Sequence, residues 1–151
     1  MRTRFQTMID LAEVGEFTDE LRAVFIELDR RAGGDLPPGE CSPPLDLRET
    51  DEAVEVRVDL PGVSPDAVWV IARAGALFVA GEKRPRRGRG DASFHLVERD
   101  FGRFARTVRL PAPCDTSQAR AVLVSGELLV TIPRVPERRG RRVQVTVSRE
   151  A

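Results

Sequence analysis

Apolar and polar residues alternate along the middle of this chain, between about residues 43 and 135. Residues 53–59 (A-V-E-V-R-V-D) carry apolar side chains at every second position, the period with which a β-strand presents one face to a core. Short runs rich in branched or aromatic residues follow at 68–72, 77–80, 104–110, 121–124 and 128–132, separated by glycine or proline. Because no helix-length periodic segment lies between them, the pattern predicts an all-β fold, an antiparallel immunoglobulin-like β-sandwich.

The segment before these strands contains one helical pattern. Thr18 suits an N-cap, and the glycines at positions 33 and 34 suit a helix end. Apolar side chains between them recur at i, i+3, i+4 and i+7: Leu21, Val24, Phe25 and Leu28. We therefore predict a helix over about residues 18–32, followed by a proline-rich linker at 35–44.

Length and composition fit one domain with two flanking segments. The 151 residues divide into an N-terminal arm (1–42), a β domain (43–135) and a C-terminal extension (136–151). No apolar run approaches the ~20 residues of a membrane helix, so no membrane span is expected. The first residues lack the apolar stretch of a signal peptide, which favours a cytoplasmic location.

The C-terminal extension ends in a second alternating pattern. Val143, Val145 and Val147 share one side of an extended segment, because side chains two residues apart point the same way. A strand at a chain end either completes its own sheet or docks on the edge of another molecule. The docking pair could be Val143 with Val145, or Val145 with Val147.

Five short motifs of the β domain occur in a fixed order. They are P-L-D-L-R-E at 44–49, D-L-P-G-V at 59–63, L-F-V-A-G-E-K at 77–83, E-R-x-x-G-x-F-x-R-x-x-x-L-P at 98–111 and A-x-x-x-x-G-x-L-x-V-x-I-P at 121–133. In sequence and spacing they resemble the small heat-shock proteins of the α-crystallin family, in the bacterial and plant form. The departures are mild: Glu127 stands where valine is usual, and the tail carries Val-x-Val where Ile-x-Ile is common.

The resemblance implies a dimer that assembles further through the chain's two ends. Arg106 occupies the family's dimer-interface arginine position, where it would form an ion pair across the interface; the alternative is a solvated arginine. The tail valines would dock beside Val68, Val70, Ala121 and Leu123, whose strands match the family's groove strands. This implies a homo-oligomer built from dimers.

A long loop of mixed character separates two of the predicted strands. Its first part, residues 83–89, holds five basic residues and no acid, and Phe94, His95 and Leu96 follow. The loop could contact nucleic-acid phosphates, but it lacks interleaved aromatic residues for base stacking. It could also be merely solvated. By resemblance, Phe94, His95 and Leu96 form a short strand that crosses to a partner's sheet, and we favour this interpretation over nucleic-acid binding.

Candidate chemistry is sparse in this sequence. His95 is the only histidine, and it has no metal-ligand or nucleophile constellation near it in sequence. Cys41 and Cys114 stand apart and are expected to be reduced thiols, with a disulfide or a redox switch as the alternative. Without such a constellation the chain is expected to be neither an enzyme nor dependent on a cofactor. No phosphate-binding loop occurs, which agrees with an ATP-independent role.

The predicted function is that of an ATP-independent chaperone that holds partly unfolded proteins under heat or other stress. Six apolar residues ahead of the linker would contact clients or pack within the oligomer, although they could also be ordinary core residues: Phe5, Ile9, Phe17, Leu21, Val24 and Phe25. Expected partners are other copies of the chain, non-native proteins and possible ATP-dependent refolding chaperones. The alternative is a CS-domain-like adaptor that binds one specific partner.

Overall fold

The computed structural model describes residues 15–32, 40–73, 75–86, 88, 90–111 and 113–135. One helix, α1 (Thr18–Ala32), follows a short 3₁₀ turn at Gly15–Phe17 and lies where the sequence predicts it. The strands are β1 (Leu45–Glu49), β2 (Ala53–Asp59), β3 (Val68–Arg73), β4 (Ala76–Lys83), β5 (Gly102–Arg109), β6 (Arg120–Val124) and β7 (Glu127–Pro133). Among the helices of these ranges, none is long and apolar enough to cross a membrane.

Two antiparallel sheets form a sandwich, which confirms the fold class expected from the alternating pattern. One sheet has the strand order β1-β2-β7-β6 and the other has the order β3-β4-β5. In the first sheet Val56 lies opposite Val130, and in the second Val79 lies opposite Arg106. The strand order leaves β1 and β6 as edges of the four-stranded sheet, and β3 and β5 as edges of the three-stranded sheet.

The main core lies between the two sheets. Its fully or almost fully buried side chains come from both inner faces: Val56, Val58, Leu60, Leu77, Val79, Phe104, Leu128, Val130 and Ile132. They occupy every second position of their strands, as the period-two pattern requires. The turn between β6 and β7 closes against this core at Gly126, whose φ is +79°. A Cβ at Gly126 would lie 2.9 Å from Pro61 Cα, so the turn needs glycine for its space as well as for its backbone conformation.

A second apolar cluster lies on the outside of the sandwich, under α1. The turn before the helix contributes Phe17, and the helix contributes Leu21, Val24 and Leu28. All four are buried against the outward face of the three-stranded sheet. Strand β4 is therefore covered on both faces, with Leu77 and Val79 in the main core and Phe78 and Ala80 under the helix. This explains why β4 is an almost unbroken apolar run instead of an alternating one.

Candidate protein-interaction surfaces

The N-terminal arm is bound to its own domain over α1. Phe17 is fully buried, Leu21 and Val24 are buried, and Phe25 is partly buried against the same cluster. In the described part of the arm these residues make the core contacts that the sequence left open as an alternative, because the outward face of the sheet is itself apolar and accepts the helix. Phe5 and Ile9 lie outside the described residues. Whether any of these side chains binds clients stays a prediction.

Ion pairs surround the apolar contact between α1 and the sheet. Arg109 Nη2 lies 3.0 Å from Glu16 Oε1, and Arg73 pairs with Glu20. At the opposite end Arg103, only 5% exposed, pairs with Asp29 and lies 3.8 Å from Glu82 Oε2. All three pairs join a carboxylate of the helix or of the turn before it to an arginine of the sheet. In these pairs the carboxylates lie on the arm and the arginines on the sheet.

Three arginines also stack on the rings of this contact. The guanidinium carbon of Arg73 is 5.1 Å from the centre of the Phe17 ring, and that of Arg103 is 5.0 Å from the centre of Phe25. Arg31 of the helix lies 5.2 Å above Trp69 of β3. Such cation–π contacts contribute on the order of 0.5–1 kcal/mol each at exposed sites, so they add to the ion pairs at the rim.

The loop between β4 and β5 carries the most exposed apolar side chains of the described chain. Phe94 is 82% exposed, Leu96 72% and the following Val97 64%. His95 is also exposed, and the described residues between Lys83 and Gly102 form no strand with either sheet. An apolar segment that finds no partner in its own chain is typical of a surface that another molecule covers.

The proposed tail-docking groove opens between the edge strands β3 and β6. A depression of about 250 Å³ there is lined by six apolar and two polar residues: Val70, Ala72, Leu77, Ala119, Ala121 and Val130, with Thr116 and Arg120. Val68 and Leu123 are half-buried beside it and pack on the main core. Of the four residues selected from the sequence, Val70 and Ala121 line the depression, whereas Val68 and Leu123 do not. The tail valines Val143, Val145 and Val147 lie outside the described residues.

Arg106 lies at the β5 edge of the sandwich. It shares the inward side of β5 with Phe104 and Val108, which both belong to the main core or pack against it. Its Nη1 donates a 2.7 Å hydrogen bond to the carbonyl oxygen of Pro43, and its side chain is half-buried. A single chain does not test the expected ion pair across a dimer interface, so that role stays a prediction.

The two thiols and the lone histidine form no reactive site. Burial raises the pKa of the Cys41 thiol to about 11, and burial also raises the pKa of Cys114. Neither cysteine of the described chain is in a disulfide, and no group of His, Cys, Asp and Glu within it could hold a metal ion. A thiol with a raised pKa is a poor nucleophile, because the thiolate is the reactive form.

Sequence reasoning missed the helix-binding face and its arginine rim. One signal was present: residues 76–80 are apolar without alternation, which indicates a strand covered on both faces. No local pattern could assign Arg73, Arg103 and Arg109 to the helix carboxylates, since the paired residues lie 53 to 93 positions apart.

The fold is a β-sandwich of the α-crystallin type, and comparison of the chain with known protein families agrees. The profile of the Hsp20/alpha crystallin family matches residues 46–146. The chain therefore belongs to the Hsp20/alpha crystallin family, the small heat-shock proteins.

Individual relatives extend this likeness. The chain is 35% identical over 111 residues to spore protein SP21 of Stigmatella aurantiaca, covering 74% of this chain and 66% of that protein. It resembles the solved structure of heat shock protein 16.0 from Schizosaccharomyces pombe at 34% identity and a TM-score of 0.61, over 72% of this chain and 99% of that one. It also resembles the solved structure of a small heat-shock protein from Xylella fastidiosa, at 30% identity and a TM-score of 0.59, over 70% of this chain and 96% of that one.

Proposed function

We propose that this protein is an ATP-independent holdase, which binds partly unfolded proteins in the cytoplasm and prevents their aggregation under heat or other stress. A chaperone role in general follows from the family, and features of the chain itself support the holdase mechanism. The observation that carries it is the position of α1 and the turn before it, because their buried apolar side chains Phe17, Leu21, Val24 and Leu28 lie outside the inter-sheet core. The helix can therefore leave the sandwich without opening its core.

Release of α1 would expose two apolar surfaces at once. The helix would present the four side chains that it now buries, and the sheet would present the face that they cover. Apolar contact is non-directional and stabilises by about 25 cal/mol per Å² of buried apolar area, so it suits clients that share no sequence. Binding the unfolded form of a client lowers the concentration available for aggregation. Refolding would then be left to ATP-dependent chaperones.

The building block would be a dimer formed by strand exchange. Phe94 and Leu96 lie two residues apart and share one side of an extended segment, with His95 on the other. Strand β1 is an edge of the four-stranded sheet, and the described residues give it no second neighbour. An edge strand of this kind pairs readily with a strand from another chain. Pairing of residues 94–97 with β1 of a partner would bury the exposed apolar side chains. It would also give hydrogen-bond partners to the backbone groups at the β1 edge.

Larger assemblies would form through the tail. Docking two valines in the groove between β3 and β6 is worth about 3–6 kcal/mol before the cost of ordering the tail. A contact of this size is weak alone and decisive when repeated around an assembly. The solved relative from Xylella fastidiosa is described as having a distinct high-order structure, which supports assembly beyond the dimer in this family.

An aggregation assay tests the holdase proposal. The protein, at near-stoichiometric amounts and without nucleotide, is expected to suppress the light scattering of a heat-denatured client enzyme. Serum albumin at the same mass concentration serves as the control for crowding. Suppression that requires ATP, or that fails at several-fold excess, would contradict the proposal.

The alternative, an adaptor of the CS-domain kind, makes a different prediction. Such an adaptor would bind one folded partner and run as a monomer or dimer. Light scattering coupled to gel filtration separates the two functions, because the holdase proposal expects an assembly larger than a dimer whose mass falls on heating.

A further inference from the structure

The outward face of the three-stranded sheet has an ordered composition. Strand pairing places Ile71, Phe78 and Thr107 in one row, and Trp69, Ala80 and Ala105 in the next. Apart from Thr107, these two rows form an apolar centre. The neighbouring row holds Arg73 and Arg109 on either side of Ala76, and the row at the other end holds Arg103 beside Glu82. The face is thus an apolar strip with arginines at both ends.

Helix α1 matches this strip in both shape and charge. Its apolar positions 17, 21, 24 and 28 run along the strip, and Phe17 stacks on Phe78. Glu16 and Glu20 at its N-terminal end meet Arg109 and Arg73, while Asp29 near its C-terminal end meets Arg103. The carboxylates at the N-terminal end also suit the positive end of the helix dipole.

We infer that this face is a receptor for acidic amphipathic helices of client proteins, and that α1 covers it at rest. The inference rests on the proposed holdase function and names the client feature that the sheet would bind. A fitting client segment carries apolar side chains at i, i+4, i+7 and i+11 on one side of a helix. It carries carboxylates beside the first apolar position and after the last. Partly unfolded proteins retain fluctuating helices of this kind, so such segments are present among clients.

Because α1 covers this face, the receptor is available to a client only when the helix leaves it. A tethered segment competes at an effective concentration that reaches the millimolar range for short linkers, so α1 excludes a dilute client helix while it is docked. A helix of 15 residues is marginal alone in water, so α1 depends on the sheet for its stability. Conditions that weaken the docking would open the receptor while the inter-sheet core remains closed.

A charge-swap experiment on the full chain tests the inference. The probe is a fluorescent peptide with the sequence of residues 15–32, and a second peptide carries Glu20→Arg. In the chain, Glu20→Arg and Arg73→Glu each place like charges across the rim and release α1. Trp69 is the only tryptophan and packs against the helix cluster, so its emission reports the release.

The expected binding pattern is specific to the pairing of charges. The Glu20→Arg chain keeps Arg73 on its face and should bind the unmodified peptide at least tenfold more tightly than the wild-type chain does. The Arg73→Glu chain should prefer the Glu20→Arg peptide by a similar factor. The chain with both changes restores its own pair and should bind neither peptide well. An unrelated acidic amphipathic peptide should follow the unmodified one, and a scrambled peptide should not bind.

Three outcomes would overturn the inference. If the released chains bind both peptides equally, or bind neither, the sheet face is not a receptor that selects by charge. If Trp69 reports no release in the single variants, Leu21→Asp frees the helix without altering the sheet, and failure of that chain to bind the unmodified peptide decides against the receptor. A Trp69 response only when the Glu20→Arg and Arg73→Glu chains are mixed would assign the face to a second copy of the chain instead of a client.

The failure of this inference is distinguishable from failure of the holdase proposal. If the chain suppresses client aggregation while neither peptide binds, the receptor is wrong and the holdase proposal stands. If the peptides bind as expected, saturating the released chain with the unmodified peptide should reduce its suppression of aggregation at least twofold. Loss of suppression in every chain, with or without peptide, would contradict the holdase proposal itself.

Discussion

The rings of Phe17 and Phe78 stack with their centroids 5.1 Å apart and their planes inclined by 11°. Phe17 precedes the helix in the arm, and Phe78 lies in the middle of β4. Both side chains are fully buried, although the contact lies on the outside of the sandwich. This pair therefore joins the arm to the domain without taking part in the inter-sheet core.

Replacing Phe17 with alanine should detach the helix and leave the sandwich folded. Loss of a buried phenylalanine costs about 3–5 kcal/mol, and here the whole cost falls on helix docking. We expect a loss of helical circular dichroism and a red shift of Trp69 emission, with the β-sheet signal and its unfolding midpoint little changed. Ile26→Ala, at a helix position that is 61% exposed, is the matched control. Equal effects of the two substitutions would show that the stack does not hold the helix.

A second prediction concerns the close approach of β4 to the turn before β3. A Cβ at Gly81 would lie 2.2 Å from the carbonyl oxygen of Ala67 and 2.8 Å from Phe104 Cζ. Gly81→Ala should lower the free energy of unfolding by about 1–3 kcal/mol, the usual cost of overpacking, because the backbone oxygen must move. Urea denaturation measures the change. Gly90→Ala is the control, since no atom lies within 4 Å of its Cβ position; equal midpoints for the two variants would contradict the steric argument.

The fold could be predicted from the sequence because its signals are local. Period-two alternation marks β2 and β7, and the apolar spacing of Leu21, Val24 and Leu28 marks the helix. The docking of that helix could not be predicted, because helix amphipathicity shows that one face is buried and does not say against what. The same limit applies to the groove: family resemblance named Val70 and Ala121, which line the depression, but its role as a docking site and its occupant in the tail stay predictions.

A third prediction follows from the raised pKa of Cys41. The unfolded thiol ionises near pH 9 and the folded one near 11, because burial disfavours the thiolate. The contribution of Cys41 to folding stability is therefore full below pH 9 and is lost as pH rises through about 11. At pH 8.5 iodoacetamide should modify native Cys41 at least tenfold more slowly than the unfolded chain, as measured by mass spectrometry. Cys114→Ser removes the other thiol and isolates Cys41; equal rates in the native and unfolded chains would show that the thiol is not buried.

The tail valines provide a fourth prediction. Val143→Asp with Val145→Asp should reduce the assembly to dimers, because a carboxylate loses the contact that valine would make with the apolar side chains of the groove between β3 and β6 and is partly desolvated there. Light scattering coupled to gel filtration gives the mass, and far-UV circular dichroism verifies that the sandwich stays folded. Gln144→Asp with Thr146→Asp places the same charges on the other side of the extended tail. An unchanged mass in the valine variant, or an equal fall in its control, would show that the valine side does not dock.

The last prediction concerns the exposed segment that contains Phe94 and Leu96. If this segment pairs with β1 of a partner, each chain both donates and accepts a strand, so two copies of the contact close the dimer by symmetry. Phe94→Asp with Leu96→Asp removes the apolar side chains from both copies at once and should convert the dimer to a monomer. Because these side chains are 82% and 72% exposed in the single chain, the substitutions should not lower the thermal midpoint of the isolated sandwich. Ser93→Asp adds a carboxylate to the same loop without removing an apolar side chain, and it should keep the dimer. Deleting residues 86–96 should have the same effect as the double substitution. A dimer mass that survives the deletion would rule out strand exchange and would point to Arg106 and the β5 edge as the interface.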